Sequence, residues 1–482
     1  MGLRCCSLLK GKDFRMSKEE KAFPAIGNHT RTLIDLWRGK ASSTPLSKEE
    51  INRIAKSLLT LQRGLTGKRE LAGAGYMDSP EALGAYLLYY YGITHRQISL
   101  ALGSVIDSIG FDKEKPIRIL DVGAGPAPAA MAVVDSLLSR GAKEENLCVT
   151  LVDSSAKALN LAKKIFGRVH PHVSLVSKVL SLEKNAISFN DTFEVIVASH
   201  VFNELWKNEA NALEKRLTLI EHLAAALTDD GTLLLSDPAL LQTSREMIAL
   251  VSKATERGLL RIVSPCPAAF NETGLCPLFS EGAPESATCH ATITTDFDAT
   301  TLRIANAAGL KRDAVKMTFF VLKKGNTPVT STGELRVVSD GMLNKSGRVR
   351  FLLCDGKKRF PVSAKNGNPH ATTLGFFSLQ RYDAIVVKNP ELRGDKKTLS
   401  WGISPATEIQ VTPFAPRNKD AKATLLQAKS RERKSGKDAR KASPKREAKH
   451  HSSFAYGFLD VRNSTRKGVP ARLNFSRKKP SK

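Results

Sequence analysis

The stretch IRILDVGAGPAPAAMA, from Ile117 to Ala132, constrains this chain more than any other. Ile117, Ile119 and Leu120 form the short apolar run of a buried parallel strand, and Asp121 stands where that strand ends. Gly123 and Gly125 let the backbone approach a ligand with no Cβ in the way, and a helix from about Pro128 is expected to present unpaired N–H groups to it. Such a turn suits a carboxylate or a phosphate, as in nucleotide-type cofactors. An ordinary strand-to-helix turn has the same outline. In a dinucleotide fingerprint the third glycine falls three residues after the second, where this chain has Pro128.

The pattern DxGxG instead resembles the first motif of class I S-adenosylmethionine (SAM) methyltransferases. The flanking sequence agrees, because from Pro116 strands and helices alternate as in a doubly wound sheet. LCVTLVD, Leu147 to Asp153, reads as a second strand, with Asp153 placed to accept hydrogen bonds from both ribose hydroxyls or to serve as a plain helix cap. Its separation from Gly125 exceeds the roughly 20 residues of the dinucleotide pattern, which fits a long first helix carrying Met131, Val134, Leu137 and Leu138. HVSLVSKV is a third strand, and FEVIVASHVFNEL runs from a fourth strand at Phe193 into a helix, setting Ser199, His200, Asn203 and Glu204 beside the expected crevice. The Asn/Asp-Pro-Pro-aromatic turn that polarises exocyclic base amines is missing here, and the catalytic residues stay unassigned. GTLLLSDPA is a fifth strand after an Asp-Gly turn, and MTFFVLKKG near Phe319 is a late strand suited to closing the sheet.

Upstream, residues 17 to 110 read as helical. Ser47 is an N-cap with Glu50 three residues on, followed by Ile51, Ile54, Leu58 and Leu61 on one face. Two further helical regions hold Leu83, Tyr86, Leu87 and Tyr90, then Ile98, Leu102, Val105 and Ile109, with packing the ordinary role of the tyrosines. Downstream, ELRVV, RVRFLLC and RYDAIVV are short β-like runs, with Asp355 and Gly356 forming a hairpin turn. The expected architecture is therefore α/β. It comprises a helical region over 1–110, a Rossmann-like core over 111–330 with a cysteine-rich insertion at about 262–292, a small β-rich domain over 331–414 and a basic tail over 415–482.

That tail holds much of the charge. From Arg417 to Lys482 there are 21 Lys and Arg against 5 Asp and Glu, a net +16 of the chain's +27. Counterion release makes such a segment favour RNA or DNA, and a solvated disordered extension has the same composition. No window approaches the roughly 18 to 20 apolar residues of a membrane helix, so no membrane partner is expected. The amino terminus has no hydrophobic core followed by a cleavage site, which argues against secretion. Its first dozen residues are basic and free of acids, as in a mitochondrial presequence, until Asp13, Glu19 and Glu20 break the pattern. Seven cysteines, an odd number, argue against a disulfide scaffold. Cys266 and Cys276 each precede proline, Cys289 precedes His290, and Cys354 follows in LLCDG. Four thiolates of this kind can bind zinc or an iron–sulfur cluster, or can be buried as plain apolar groups.

Taken together, LTGKRELAGAGYM, DVGAGPAPAA, ASHVFNEL, LLLSDPA, SPCP, LCPL, TCH and LLCDG resemble the methyltransferase-like proteins of the mitochondrial ribosomal small subunit and their bacterial relatives, from about Leu65 to Gly402. The resemblance implies a class I SAM-methyltransferase fold, SAM held at Asp121, Gly123, Gly125 and Asp153, and a 4Fe-4S cluster, with zinc as the alternative, on Cys266, Cys276, Cys289 and Cys354. It also implies work in small-subunit assembly, with the ribosomal small subunit and its rRNA as partners. The location implied is cytoplasmic and ribosome-associated, with the mitochondrial matrix as the alternative. The chain departs from the family pattern at Ala268, Thr288, Ala291 and Asp237-Pro238-Ala239. These positions bear on how a cluster is shielded and how the cofactor's far edge is held. Three functions follow: a SAM-dependent rRNA methyltransferase, a non-catalytic assembly factor keeping the fold as a scaffold, and a small-molecule methyltransferase.

Overall fold

The computed structural model describes residues 29–67, 79–109, 115–184, 189, 191–268, 270–294, 297–312, 314–325, 333–394 and 400–415. The basic tail beyond 415 and most of LTGKRELAGAGYM lie outside them. Among the described residues no helix is long and apolar enough to cross a membrane.

The chain opens with helices α1 (Thr30–Arg38) and α2 (Lys48–Gln62). The expected capping box is present on α2: Ser47 Oγ accepts from the Glu50 N–H, and Glu50 accepts from the Ser47 N–H. The next two expected helices are instead one continuous run. Helix α3 (Pro80–Ala85) passes through a π turn at Tyr86–Tyr90 directly into α4 (Tyr91–Gly103), because no glycine or proline interrupts the chain between Ala85 and Tyr91.

The main sheet then follows. It is built from β1 (Ile117–Val122), α5 (Pro128–Ser139), β2 (Leu147–Asp153), α6 (Ala156–Val169), β3 (Ser174–Val179), β4 (Phe193–Ser199), α7 (Ala212–Ala225), β5 (Leu227–Pro238), α8 (Leu241–Glu256) and β6 (Leu260–Ser264). A short α9 (Phe270–Thr273), β7 (Ala291–Thr294), α10 (Ala299–Ala307) and β8 (Ala314–Lys324) complete it. Strand order is β3-β2-β1-β4-β5-β8-β6, with β7 also on β8. Strands β1 to β5 pair in parallel, and β8 is antiparallel to both β5 and β6. One antiparallel strand inserted near the edge of a doubly wound sheet is the class I SAM-methyltransferase arrangement, so the expected fold class holds. Alternation along the strands sorts side chains to two cores. Ile119, Val195 and Val197 face the N-terminal helices with α5 and α6, while Leu120, Ile196 and Ala198 face α7 and α8.

Three local expectations change. Strand β8 does not close an edge but is hydrogen-bonded on both sides. Strand β5 begins at Leu227 rather than after the Asp-Gly turn, with a register shift opposite Phe193 and Val195. A Cβ at Gly231 would stand 2.9 Å from Thr228 O and 3.0 Å from Phe193 O, which is why glycine sits in that irregularity. After β4 no helix starts until Ala212, because His200 and Trp206 have positive φ (60° and 50°) and the Trp206 N–H donates to Glu183 Oε1.

A second sheet is formed by β9 (Leu335–Val337), β10 (Met342–Leu343), β11 (Arg348–Cys354), β12 (Arg359–Lys365), β13 (Ala384–Lys388), β14 (Glu391–Arg393), β15 (Ser400–Gly402) and β16 (Glu408–Thr412), with helix α11 (Pro369–Thr373) between β12 and β13. Its order is β14-β15-β12-β11-β9-β13-β16, with β10 also on β11. It has its own core around Val337, Val349, Phe351, Val362 and Phe376. Between β11 and β12 the expected hairpin turn is closed by Asp355 Oδ1, which accepts the N–H groups of Lys357 and Lys358.

Candidate functional site

Strand order reverses between β1 and β4, and the crevice beyond their carboxyl ends is where doubly wound sheets bind ligands. Asp121, Gly123, Gly125 and Asp153 all lie there. Gly123 has φ +70° and donates its N–H to Val152 O at 2.8 Å. A Cβ on it would stand 2.6 Å from Val201 Cγ2, so the packing of the β4 loop demands this glycine. Gly125, at φ +54°, donates its N–H to Asp153 Oδ2 at 2.8 Å, while Asp153 Oδ1 accepts the Ser155 N–H at 2.8 Å. Asp153 thus pins the glycine turn to the start of α6. Each of its oxygens can still accept more than one bond.

The helix end offers less than the sequence suggests. Pro128 has no N–H, and the Ala130 N–H is taken at 2.9 Å by Asp121 Oδ2. The other oxygen, Asp121 Oδ1, is buried with no hydrogen-bond partner. Burial, with the nearby Asp153 charge, pushes the Asp121 carboxyl up to about 7, against the single N–H bond that favours the anion. An orphaned carboxylate oxygen in this crevice is what a cationic or N–H-bearing ligand would satisfy.

Sequence reasoning missed Tyr86. The π turn brings its phenol to Thr94 and close enough to Glu204, Asp121 and Asp153 to feel their charges, and burial raises its pKa. The side chain reads as packing in sequence because the turn that aims it is invisible there. His200 is held by structure rather than poised for chemistry. Its N–H donates to Ser236 O at 2.7 Å, its Nε2 lies 2.9 Å from Gln97 Oε1, and burial pushes its pKa down to about 4. The Gln97 amide nitrogen is itself bonded to Lys316 O at 3.0 Å, so the Nε2 proton of His200 is committed. Asn203, oriented with its nitrogen as donor, reaches His200 O at 3.0 Å and Asp237 Oδ1 at 2.9 Å.

The second site joins four separate segments. Cys266 follows β6, Cys276 precedes the turn Pro277–Phe279, Cys289 precedes β7 and Cys354 ends β11. The four thiols are close enough to perturb one another. Burial and then the other three thiols raise Cys266 well above the ordinary range, Cys276 is pushed up to about 12 and Cys354 to about 11. Two guanidiniums face the set. Arg359 lies beside Cys276, Cys289 and Cys354, and Arg336 beside Cys266, and the Nε of each is buried without a hydrogen-bond partner. Tyr382 Oη donates to Cys289 Sγ at 3.6 Å, and the Gly356 N–H to Cys354 Sγ at 3.4 Å. Buried neutral thiols do not need two buried cations. A thiolate-bound, negatively charged centre does, so the residues present fit such a group.

Several solved structures share the fold class at low similarity. The plantazolicin methyltransferase BpumL, in complex with SAH, is 14% identical, with 57% of this chain and 98% of that chain covered and a TM-score of 0.29. The magnesium protoporphyrin IX methyltransferase of Synechocystis, with bound SAM, is 10% identical over 59% and 100%, with a TM-score of 0.29. The precorrin-6y C5,15-methyltransferase of Geobacter metallireducens is 10% identical over 48% and 89%, with a TM-score of 0.27. Scores this low leave the fold resting on its own strand order. No curated protein matches the chain. A family model described as mitochondrial small ribosomal subunit Rsm22 matches residues 80–367, more than half of the sequence, and the protein therefore belongs to the Rsm22 family.

Proposed function

We propose that this protein holds SAM at the β1–α5 turn and an iron–sulfur cluster on Cys266, Cys276, Cys289 and Cys354, and that it acts on the small ribosomal subunit by contacting its rRNA during assembly. The observation that carries this reading is the meeting of four thiols from four segments beside two guanidiniums whose Nε atoms are buried without a hydrogen-bond partner. Four thiolates can hold either a cluster or zinc, and metal analysis separates the two. When bound, SAM supplies a methyl on a sulfonium already reactive toward nucleophiles. Asp153 would receive the ribose, Asp121 Oδ1 would satisfy the amino end, and Gly123 and Gly125 would keep the turn open. Catalysis on such a donor would be mostly positioning.

The family description supports the small subunit as the partner and the mitochondrial matrix, rather than the cytoplasm, as the location. We assign RNA contact to the β-rich region over 331–414 and the basic tail over 415–482. A non-catalytic assembly factor is favoured by one observation: no Asn/Asp-Pro-Pro-aromatic turn follows β4, so the crevice has no such group to polarise a base amine. A small-molecule methyltransferase is the least supported, since it gives the thiol site no role.

Anaerobic purification with metal analysis and identification of co-purifying RNA tests the reading. Bound iron and sulfide with visible absorption, lost in Cys266→Ser or Cys354→Ser, is the expected result, and a colourless zinc protein refutes the cluster. Methyl transfer to small-subunit precursor RNA, abolished by Asp153→Ala, establishes an enzyme, whereas SAM binding without transfer establishes the scaffold.

A further inference from the structure

Away from both sites, three histidines converge on one buried carboxylate. Asp135 lies on α5, two turns beyond the cofactor loop. His29 caps the start of α1, His95 projects from α4, and His170 ends α6. His29, His95 and His170 are 5%, 0% and 9% exposed. Asp135 Oδ2 is 2.7 Å from His95 Nε2 and 3.6 Å from His29 Nε2, and Asp135 Oδ1 is 2.8 Å from His170 Nε2. His170 Nδ1 is in turn 2.7 Å from Glu144 Oε1.

As a hydrogen-bonded network this arrangement is incomplete. His29 Nε2 stands too far from Oδ2 for a hydrogen bond, and Nδ1 of both His29 and His95 is buried without a partner. As a coordination shell it is nearly formed. One nitrogen of His29, one of His95 and one oxygen of Asp135 all lie within 4.8 Å of one another, the only such trio among the described residues. A tetrahedral ion with bonds of about 2.0 to 2.1 Å sets its ligand atoms roughly 3.3 to 3.4 Å apart, and the two measured separations from Oδ2 bracket that value. His170 then completes a familiar outer arrangement. Held by Glu144, it donates to the second oxygen of Asp135 and fixes the orientation of the ligating carboxylate.

We propose that His29, His95 and Asp135 bind a divalent transition metal, with His170 and Glu144 as orienting partners. Two imidazoles and one carboxylate suit zinc and disfavour magnesium or calcium, which take oxygen ligands. The ion replaces the proton between His95 and Asp135 and gives His29 a ligand bond, so it clamps the start of α1 to α4 and α5. That makes the docking of the N-terminal helical layer, including the π turn that aims Tyr86 into the cofactor crevice, dependent on metal.

The test uses the full chain with its cysteine site intact. Zinc titrated into chelator-treated protein is followed by thermal unfolding and by zinc K-edge absorption, which separates nitrogen and oxygen ligands from sulfur. Expected are one tightly bound zinc with imidazole scattering and a rise in unfolding temperature. Binding should weaken at least tenfold in His29→Gln, a boundary substitution that leaves the buried His95 in place, and persist in Cys354→Ser. Zinc that shows sulfur ligands only, or binds His29→Gln as tightly as the parent, overturns the proposal. Absence of any zinc binding in the parent protein overturns it as well, leaving a proton-sharing histidine network.

Discussion

The Asp121 carboxyl offers the sharpest physical test of the cofactor crevice. It is 1% exposed, accepts one backbone N–H and has one oxygen with no partner. Its pKa in the folded protein is about 7, against about 3.8 when unfolded. Between those values the folded state holds a proton that the unfolded state has released, so this group's contribution to stability is full below about pH 4 and is lost as pH rises through 7. Three pH units at about 1.36 kcal/mol each give roughly 4 kcal/mol lost by pH 8, of which roughly 2 kcal/mol falls between pH 5 and pH 7. Asp121→Asn keeps an oxygen for the Ala130 N–H and cannot ionise. Denaturant midpoints of parent and variant, measured without SAM from pH 5 to pH 8, should therefore diverge, with the variant gaining steadily as pH rises. Subtracting the two curves removes the other titrating groups, including the histidines. Parallel curves would refute the reasoning, because they would mean that Asp121 ionises without penalty and the crevice satisfies it unaided. Saturating SAM, which carries a cationic amino group, should narrow the difference.

Gly123→Ala should destabilise by about 2 kcal/mol or more, from its left-handed φ and from the Val201 Cγ2 contact at 2.6 Å; Val201→Ala in the same chain should restore the contact part and not the φ part, read by denaturant midpoint. Asp153→Ala removes the acceptor for Gly125 and Ser155 as well as the proposed ribose contact, and calorimetry should show SAM affinity falling roughly tenfold to a hundredfold. Arg359→Gln keeps all four thiols but removes the cation beside three of them. Reconstituted cluster occupancy, measured as iron per chain, should drop, and unchanged occupancy would exclude the charge role. Removing residues 417–482 should flatten the salt dependence of RNA binding, and an unchanged slope would place the contacts elsewhere.

Some of this was legible in the residues because its causes are local. The apolar run ending in Asp121, the glycine turn, the Ser47 and Glu50 cap and the Asp355-Gly356 hairpin are each specified within a few residues, and each is present. The alternation of strands and helices pointed to a doubly wound sheet, while the strand order within it came from the tertiary structure, because the same alternation and the same right-handed crossovers serve more than one order. Other expectations failed for reasons of tertiary context. The helix foreseen after β4 is displaced to Ala212 by two residues at positive φ and by Glu183, which lies outside that segment. The partner that holds His200, Gln97, lies 103 residues earlier, where nothing near His200 in the sequence points to it.

The sequence by itself determined the glycine turn after β1 and the class of sheet, because strand ends, glycine φ preferences and apolar period are properties of neighbouring residues. It joined the four cysteines as one ligand set only through the family resemblance, since their spacing alone leaves buried apolar thiols equally open. Only the tertiary structure decided that Cys266, Cys276, Cys289 and Cys354 lie beside two guanidiniums from the second sheet, that Tyr86 comes close enough to Asp121 and Asp153 to feel their charges, and that His29, His95 and His170 surround Asp135. Each of those sites joins residues far apart in the chain. Their spacing carries no signal, and burial alone makes their charges strong enough to matter.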